Sequence, residues 1–427
     1  MFIVNPTPDN RSLKKTTSPS STGRILLYVF GLAVLIFCID RARKGSDFEV
    51  YLAAAKTILA TGNIYDATNT LNVQYFYSPL FALVLVPFTF LPAFVVKLAW
   101  LLFSVWCMYR IWRLVQSYLN IGLLSKAQQI AWVIIAHGIL AGFIIDNFHM
   151  VQVTFFMLWA TLESVHLVWR GKTLKGAFLL GLAINFKVLP LLFIPYLFYR
   201  NKWKAGLLCT AVVILLILAP WFFLRESYHT FLLQQWWAAI NPLSAAHTLE
   251  LDKLTFDLPA LVAALFTTPA GELKTSFEAF QYTLISARLF FILLTLAFLR
   301  TGPCREARSP MHQLREIAYL LMATVLLFPH QNKYANVYLL PAFAYIIYYL
   351  LAAYNGDKLV FRSKMRYQAA IALLVLGIVC LTMTGSSIAG ETLYNILSRH
   401  KSITIGTILL VPVLLLLSPA IMEKKKI

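Results

Sequence analysis

Residues 205–224 read AGLLCTAVVILLILAPWFFL, twenty consecutive residues without a charge. A helix needs about 20 mostly apolar residues to cross the hydrocarbon core of a bilayer, so this stretch predicts a membrane span. Four further runs approach that length, at 24–39, 94–108, 369–383 and 403–417. The chain of 427 residues is 59% hydrophobic and 13% charged, against about 25% charged residues in soluble domains. We therefore expect an all-α polytopic membrane protein with about 11–13 transmembrane segments.

The charge balance is strongly basic, with 37 Lys and Arg residues against 18 Asp and Glu residues and a formal net charge of +19. In a soluble protein this excess would suggest nucleic acid, but in a membrane protein it marks cytoplasmic loops that face anionic lipid. The sequence therefore predicts membrane lipids, and no nucleic acid, as partners. The basic clusters place both termini in the cytoplasm. The first apolar stretch has no small-residue cleavage signature, which suits a multi-pass protein of a bacterial inner membrane.

The predicted organisation is a cytoplasmic tail, 1–23, followed by a single transmembrane domain, 24–427. Two long loops face the extracytoplasmic side of the membrane, at about 40–78 and about 225–286. The five cysteines lie apart, without the paired spacing of a disulfide framework or a zinc site. The two long loops are where we expect any chemistry.

This orientation requires two broken elements. One is 79–92, where three prolines favour a short membrane-embedded hairpin or half-helix over a full crossing. The other is 174–199, which would split at Lys187 to Pro190 into two short crossings, although one continuous span with Lys187 buried in it is an equal alternative. An intramembrane lysine costs at least about 2.5–3.5 kcal/mol at the bilayer centre on insertion scales, so we expect Lys187 to be paired with an anion.

The first loop carries a helix signal. Ser46 and Glu49 have the spacing of a capping box, and apolar residues follow at three- and four-residue intervals. The pattern predicts an amphipathic helix that lies along the membrane surface and ends at Gly62.

Asp47 would be the first residue of that helix, and it admits two interpretations. A carboxylate is favourable at a helix N-terminus for electrostatic reasons alone. Alternatively, Asp47 is a fixed base just outside the bilayer that takes a proton from an attacking hydroxyl. The helix dipole and the basic residues at 41, 43 and 44 would favour its ionised form, so it would be a weak base that relies on close positioning of the acceptor.

Cationic and polar residues at the extracytoplasmic face could hold a phosphate leaving group, or could act as interfacial anchors and ordinary turns. The cationic candidates are Lys187, Arg225, Arg288, His330 and Lys333. The polar segments are 146–152, with Asn147, His149 and Gln152, and 329–334. Two histidines without paired ligand spacing do not predict a metal site. Trp236 and Trp237 most simply belong to an interfacial belt, with sugar stacking as an alternative.

The order of motifs along the chain resembles the family 87 glycosyltransferases, which are polyprenyl-phosphate-mannose-dependent mannosyltransferases of the GT-C superfamily. The motifs are Ser46-Asp47-Phe48-x-Val50-Tyr51-x-Ala53-Ala54, Gly62-x-x-Tyr65-Asp66, Tyr75-x-Tyr77-Ser78-Pro79-Leu80-Phe81-Ala82, the 147–152 segment, Gly176-x-x-x-x-Gly181-Leu182-Ala183 leading to Lys187 and Pro190, and Phe328-Pro329 with Leu339-Leu340-Pro341.

This resemblance implies a GT-C-type fold and an inverting transfer of mannose from a polyprenyl phosphate donor to a lipid or glycan acceptor outside the membrane, without a cofactor. It implies Asp47 as the catalytic base and Lys187 as a donor-phosphate ligand. The substrate-binding set that we predict is Tyr51, Asn147, His149, Gln152, Lys187, Arg225, His330 and Lys333. The alternative functions are a transporter or flippase of a lipid-linked sugar or other anionic lipid, and a non-catalytic scaffold.

Overall fold

The structure, a computed structural model, describes residues 21–66, 73–242, 244, 249, 254–268, 271–301, 309–355, 364–383 and 386–419. Over these residues the chain forms eighteen α-helices and no β-strand. The first nine are α1 (Ser21–Ala42), α2 (Phe48–Leu59), α3 (Pro79–Leu85), α4 (Ala93–Ser117), α5 (Lys126–Ile139), α6 (Ala141–His149), α7 (Thr154–Trp169), α8 (Thr173–Phe186) and α9 (Phe193–Tyr199). The other nine are α10 (Trp203–Leu218), α11 (Glu226–Ile240), α12 (Leu258–Phe266), α13 (Phe277–Arg300), α14 (Pro310–Leu327), α15 (Leu340–Asn355), α16 (Lys364–Thr382), α17 (Ser386–Arg399) and α18 (Ser402–Leu416).

Short 3₁₀ helices connect several of these elements, at Val86–Phe90, Ile121–Leu123, Leu189–Leu192, Ala219–Phe222 and Lys333–Leu339. Of the expected cytoplasmic tail, residues 1–20 lie outside the described residues. Residues 21–23 already belong to α1. The first helix therefore begins before the boundary that the sequence suggested.

Within the described ranges, five helical segments are long and apolar enough to cross a membrane: Ala93–Ser117, Trp203–Phe222, Phe277–Arg300, Lys333–Tyr354 and Met365–Thr382. Two bent pairs raise the number to seven, one of α5 with α6, bent by 59°, and one of Ala389–Arg399 with α18, bent by 68°. The predicted all-α polytopic membrane fold is confirmed. Over the described residues this count is lower than the expected 11–13, because several apolar helices, such as α8, are shorter than 18 residues.

The core lies around α14 and α15. In Lys333–Tyr354, 83% of the apolar window is buried, against 22–33% in the other four long segments. At the periphery, α1 exposes Tyr28, Phe30 and Ile36 over 73%, 67% and 59% of their surfaces. Large contiguous apolar surfaces of this kind require an apolar environment. The outer helices thus expose apolar side chains to lipid, whereas the inner helices bury theirs within the protein.

Both broken elements that the orientation required are present. Ser78 caps α3 by accepting a hydrogen bond from the Phe81 amide at 3.2 Å, and Pro79 occupies the first helical position. After only seven residues α3 gives way to the 3₁₀ helix Val86–Phe90. In the second element, α8 stops at Phe186 and Lys187 is extended, with φ −143° and ψ 129°. The alternative of one continuous span through Lys187 is therefore wrong.

Helix α2 differs from its prediction at both ends. Glu49 does not close a capping box on Ser46, because its carboxylate binds the buried ammonium of Lys97 at 2.8 Å. The Ser46 hydroxyl has no hydrogen-bond partner among the described residues. The helix ends at Leu59 and not at Gly62, and Thr61 is the residue in the left-handed region, with φ 54°.

Protein contacts cover most of α2. Seven of its twelve residues are buried, among them Phe48, Tyr51 and Ala55. The helix packs against α3 and the 3₁₀ helix that follows α3. Its apolar residues thus hold it to the rest of the protein, which fixes the residue immediately before it, Asp47, relative to the transmembrane helices.

A buried ion pair connects α9, α13 and α14. Nη2 and Nε of Arg200, which follows α9, lie 2.7 and 3.1 Å from the carboxylate of Glu316 in α14. The Tyr196 hydroxyl donates to the same carboxylate at 3.0 Å, and Arg200 also donates to the carbonyl of Leu299 in α13 at 2.9 Å. The carboxylate and the guanidinium therefore have several partners, as buried charges require.

Replacing Glu316 by Ala is expected to lower the free energy of unfolding by about 3–5 kcal/mol, since the change leaves an arginine buried without its anion. Lys44→Ala removes a half-exposed pair with Asp40 and is expected to leave the free energy of unfolding almost unchanged, because water screens the pair. Unfolding of both purified variants in detergent measures the difference. Equal losses would contradict the role given to the buried pair.

Candidate active site

A tyrosine-rich segment joins the first loop to the end of α8. The Ser78 amide donates to the carbonyl of Phe186 at 3.3 Å, which is free because α8 ends there. The Tyr65 hydroxyl donates to the carbonyl of Tyr77 at 3.0 Å, and the Tyr75 hydroxyl to that of Ser78 at 3.1 Å. These bonds hold residues 75–78 beside Lys187.

Asp47 lies immediately before α2, in a loop that Lys97 fixes to α4. The Lys97 ammonium donates to the carbonyl of Lys44 at 2.7 Å and to the side chain of Glu49 at 2.8 Å, so it binds residues on both sides of Asp47. The Asp47 side chain makes no capping bond to its own helix. Its Oδ2 atom instead accepts a hydrogen bond from Nε2 of Gln152. Asp47 thus lies at the N-terminus of α2, but its side chain is held by Gln152 and not by a bond to its own helix.

The basic residues beside Asp47 in sequence are engaged elsewhere. Nε of Arg41 and Nζ of Lys44 donate to Asp40 at 2.9 and 3.0 Å, and the Arg43 guanidinium lies 5.9 Å from the centre of the Phe94 ring. Burial raises the pKa of the Asp47 carboxyl, and the hydrogen bond from Gln152 and the charge of Lys187 oppose this only in part. The basic residues at 41, 43 and 44 thus do not lower the pKa of Asp47 as expected, because their side chains bind elsewhere.

Gln152 connects Asp47 to two tyrosines. Its Oε1 atom accepts a hydrogen bond from the Tyr51 hydroxyl at 2.9 Å, and the hydroxyls of Tyr51 and Tyr77 are 2.9 Å apart. The indole N–H of Trp100 donates to the Gln152 carbonyl at 3.1 Å. Gln152 is almost fully buried. Its amide is thus fixed between the carboxylate of Asp47 and the phenol of Tyr51.

Lys187 lies in the break after α8, outside the spanning helices, and is only partly covered because it lines a cavity. Its ammonium lies 5.3 Å from the centre of the Tyr77 ring. It makes no ion pair or hydrogen bond to any residue that the structure describes, so the anion partner that we expected is not in contact with it. Burial lowers its pKa to about 8, and the charge of Asp47 works against that shift.

These residues line a cavity of about 650 Å³. Five of the predicted site residues meet in its wall: Asp47, Tyr51, Gln152, Lys187 and His330. Polar residues that the predicted set did not include complete this part of the wall: Gln74, Tyr77, Thr255, Gln331, Asn332 and Tyr334. The Tyr-x-Tyr motif and the 329–334 cluster signalled most of these, whereas nothing in the sequence around Thr255 did. The remainder of the wall is apolar or aromatic and includes Val188, Leu189, Leu191, Trp237, Ile240 and Phe328.

The other four predicted residues are not in the wall. Asn147 donates to the carbonyls of Phe143 and Tyr334 at 3.0 and 2.7 Å. Lys333 pairs with Asp146 at 3.1 Å. Both contacts hold the 329–334 segment against the end of α6. Of the remaining two, the imidazole of His149 lies beside Phe37, with ring centres 6.2 Å apart, and Arg225 is exposed at the start of α11.

The second loop is joined to the wall through Asp257. One carboxylate oxygen accepts from the Ala260 amide at 2.9 Å and so caps α12, and the other accepts from the backbone amide of Gln331 at 3.0 Å. The Phe256 amide donates to the Gln331 carbonyl at 2.7 Å. His330 adopts a left-handed backbone conformation, φ 57°, and its ring stacks on Phe76 with 5.1 Å between centres. Both loops thus fix the position of His330.

The cavity combines three chemical properties. A carboxyl group with a raised pKa can accept a proton from a hydroxyl group at neutral pH. An ammonium without an ion-pair partner among the described side chains can bind an anion. The apolar part of the wall can hold a hydrocarbon chain. No group of three or more His, Cys, Asp and Glu side chains that could hold a metal ion occurs within the described ranges.

Comparison with known proteins gives no match to a curated protein or to a solved structure. The model of glycosyltransferase family 87 matches residues 75–329, which is more than half of the chain. The matched segment includes Gln152 and Lys187, and the fold brings Asp47 and His330 to them from outside it. This chain belongs to glycosyltransferase family 87 and is a membrane glycosyltransferase.

Proposed function

We propose that the protein transfers a sugar, mannose, from a polyprenyl phosphate donor to a lipid or glycan acceptor, on the extracytoplasmic face of a bacterial inner membrane and with inversion at the anomeric carbon. The fold would be of the GT-C type. The observation that carries the proposal is the meeting of Asp47 and Lys187, a partly buried carboxyl and an ammonium without an ion-pair partner among the described residues, in one cavity.

The donor would bind across the two parts of the cavity. Lys187 and His330 would hold the phosphate, and the apolar wall would receive the first isoprene units. Leu191 and Trp237, both in that wall, are 40% and 61% exposed, which supports access to a lipid chain from outside. Trp237 also offers an aromatic face to a sugar ring.

The reaction is a single displacement. The acceptor hydroxyl attacks the anomeric carbon while its proton passes to Asp47. The bond between that carbon and the phosphate oxygen breaks, and the electron pair leaves with the polyprenyl phosphate, whose added negative charge Lys187 stabilises. Attack from the face opposite the leaving group inverts the configuration.

The location of basic residues supports an extracytoplasmic cavity. The turn between α7 and α8 carries Arg170 and Lys172, the turn between α9 and α10 carries Lys202, and Lys204 lies in the first turn of α10. Helix α8 separates the first of these turns from Lys187, and α9 separates the second. Loops rich in lysine and arginine face the cytoplasm, so the break at Lys187 would face the opposite side.

Replacing Asp47 by Asn keeps an oxygen that can accept the hydrogen bond of Gln152 but removes the base. We expect the rate of mannose transfer from radiolabelled polyprenyl phosphate mannose to endogenous acceptors to fall at least about 100-fold. Asp40→Asn, near the end of α1, is the matched control, because Asp40 binds Arg41 and Lys44 and does not line the cavity.

The two variants separate the outcomes. Transfer by the wild type that survives in Asp47→Asn would retain the enzyme class and remove Asp47 from the mechanism. No transfer by the wild type with any of several donor sugars would overturn the proposed function and favour transport of a lipid-linked sugar.

Replacing Lys187 by Met is expected to raise the KM for the donor about 10- to 100-fold, because a hydrogen bond to a charged group contributes about 1.5–3 kcal/mol. Lys56→Met, on the exposed side of α2, is the control. A KM that stays unchanged in Lys187→Met would exclude Lys187 from donor binding.

The affinity of the wild type for the donor should also depend on pH. The Lys187 ammonium has a pKa of about 8, so the positive charge is present below that pH and is lost above it. We therefore expect kcat/KM for the donor to decline above about pH 8. Lys187→Arg should abolish this decline, since a guanidinium remains charged throughout the accessible range. A decline that is identical in both proteins would assign it to another group.

A further inference from the structure

We propose that Gln152 is a positioning residue for the catalytic base: it holds Oδ2 of Asp47 and leaves Oδ1 for the acceptor hydroxyl. This inference rests on the proposed function. It changes the role predicted for Gln152, from a ligand of the substrate to a partner of the base.

The first argument is the direction of the hydrogen bonds. An ionised carboxylate only accepts, so the NH₂ group of Gln152 must face Asp47 and Oε1 must face Tyr51. The single hydroxyl hydrogen of Tyr51 is then donated to Oε1. The Tyr77 hydroxyl lies 2.9 Å from the Tyr51 hydroxyl and 3.5 Å from Oε1, so its own hydrogen can be donated to either. Donors therefore run from the two tyrosines through Gln152 to Asp47.

The second argument is the backbone that holds Gln152. Helix α6 ends in a Schellman motif, in which the amide of Val151 donates to the carbonyl of Phe148 at 3.3 Å and that of Gln152 to Asn147 at 3.0 Å. The left-handed position of this motif usually holds glycine. Here it holds Val151, buried and β-branched, with φ 50°. Such strain persists only where the surroundings fix the backbone, and it is frequent at functional sites.

The third argument is which hydrogen-bonding atoms of Asp47 and Gln152 remain available to a substrate. The two side-chain groups of Gln152 and its backbone N–H and C=O all have partners within the protein. Oδ1 of Asp47 makes no hydrogen bond to any described residue, and Asp47 lines the cavity. A substrate that enters the cavity thus finds an available oxygen on Asp47 and a fully engaged Gln152.

Among the residues that the structure describes, few charged or titratable groups lie around Asp47. Lys187 faces it from the break after α8 and Tyr51 from α2. Tyr77 and Tyr334 face it from the 75–78 and 333–339 segments, and His330 lines the same cavity. The hydrogen bond of Gln152 stabilises the ionised form of Asp47. Removing this hydrogen bond therefore raises the pKa of Asp47, so that the base is protonated at a higher pH.

The test compares Gln152→Leu and Gln152→Glu with the wild type, using polyprenyl phosphate mannose and measuring kcat, the donor KM and the pH dependence of kcat/KM. Gln152→Leu should lower kcat about 10- to 100-fold, because the base is misplaced, and should leave the donor KM unchanged. It should also move the acid limb, the fall of kcat/KM at low pH, to higher pH. Gln152→Glu, which has the same shape, should move the acid limb further, because two adjacent carboxyl groups share a proton.

Two further variants make the comparison specific. Tyr51→Phe removes the donor to Oε1 and should move the acid limb in the same direction by less. Gln129→Leu, which removes a glutamine that binds only the carbonyls of Ile121 and Leu124, should leave kcat and the acid limb unchanged. Size-exclusion profiles in detergent establish that each variant is folded.

An increase in the donor KM alone, or a loss of kcat with an unchanged acid limb in both Gln152 variants, would overturn the inference and leave the proposed function intact. A wild type that transfers no sugar would instead overturn the proposed function, and this inference with it.

Discussion

The end of helix α8 at Phe186 is the constraint on which the cavity depends. Backbone amides and carbonyls inside a membrane protein must find partners in the protein, since lipid offers none. The carbonyl of Phe186 finds the amide of Ser78, and that bond sets the 75–78 segment beside the break. Lys187 then stands in extended backbone against the ring of Tyr77 and next to a polar space. A helix continued through Lys187 would have placed its charge in hydrocarbon or in the packed core.

The sequence was sufficient for the membrane fold and for the broken element at 79–92, and it left the break at Lys187 as one of two equal alternatives. Proline at 79, 87, 92 and 190 and the basic clusters on either side of these segments are local signals, and local signals predict local geometry. The motif of the first loop also led to Asp47 and Tyr51, which the structure brings to the cavity. The number of spans was less predictable, because short and broken helices have the composition of spans without their length.

The side-chain pairings could not be predicted, because they join residues far apart in the chain. Gln152 and Asp47 are separated by 105 positions, and Lys97 and Glu49 by 48. The capping-box prediction failed for this reason: Ser46 and Glu49 have the correct spacing, but a buried ammonium on another helix binds the carboxylate more strongly than a backbone amide would. Similarly, Asn147 and Lys333 were expected to bind substrate, but they bind Tyr334 and Asp146 and so hold the 329–334 segment against α6.

Burial acts in opposite directions on the two charged groups of the cavity. It raises the pKa of Asp47 and lowers that of Lys187, and the charge of each group opposes the shift of the other. On the proposed function, an arriving donor phosphate supplies Lys187 with a second anion. That anion keeps Lys187 charged and, because it repels the carboxylate of Asp47, raises the proton affinity of Asp47. The base would therefore be strongest when the donor is bound, and weaker in the empty cavity, where Lys187 has no other anion among the described residues to offset it.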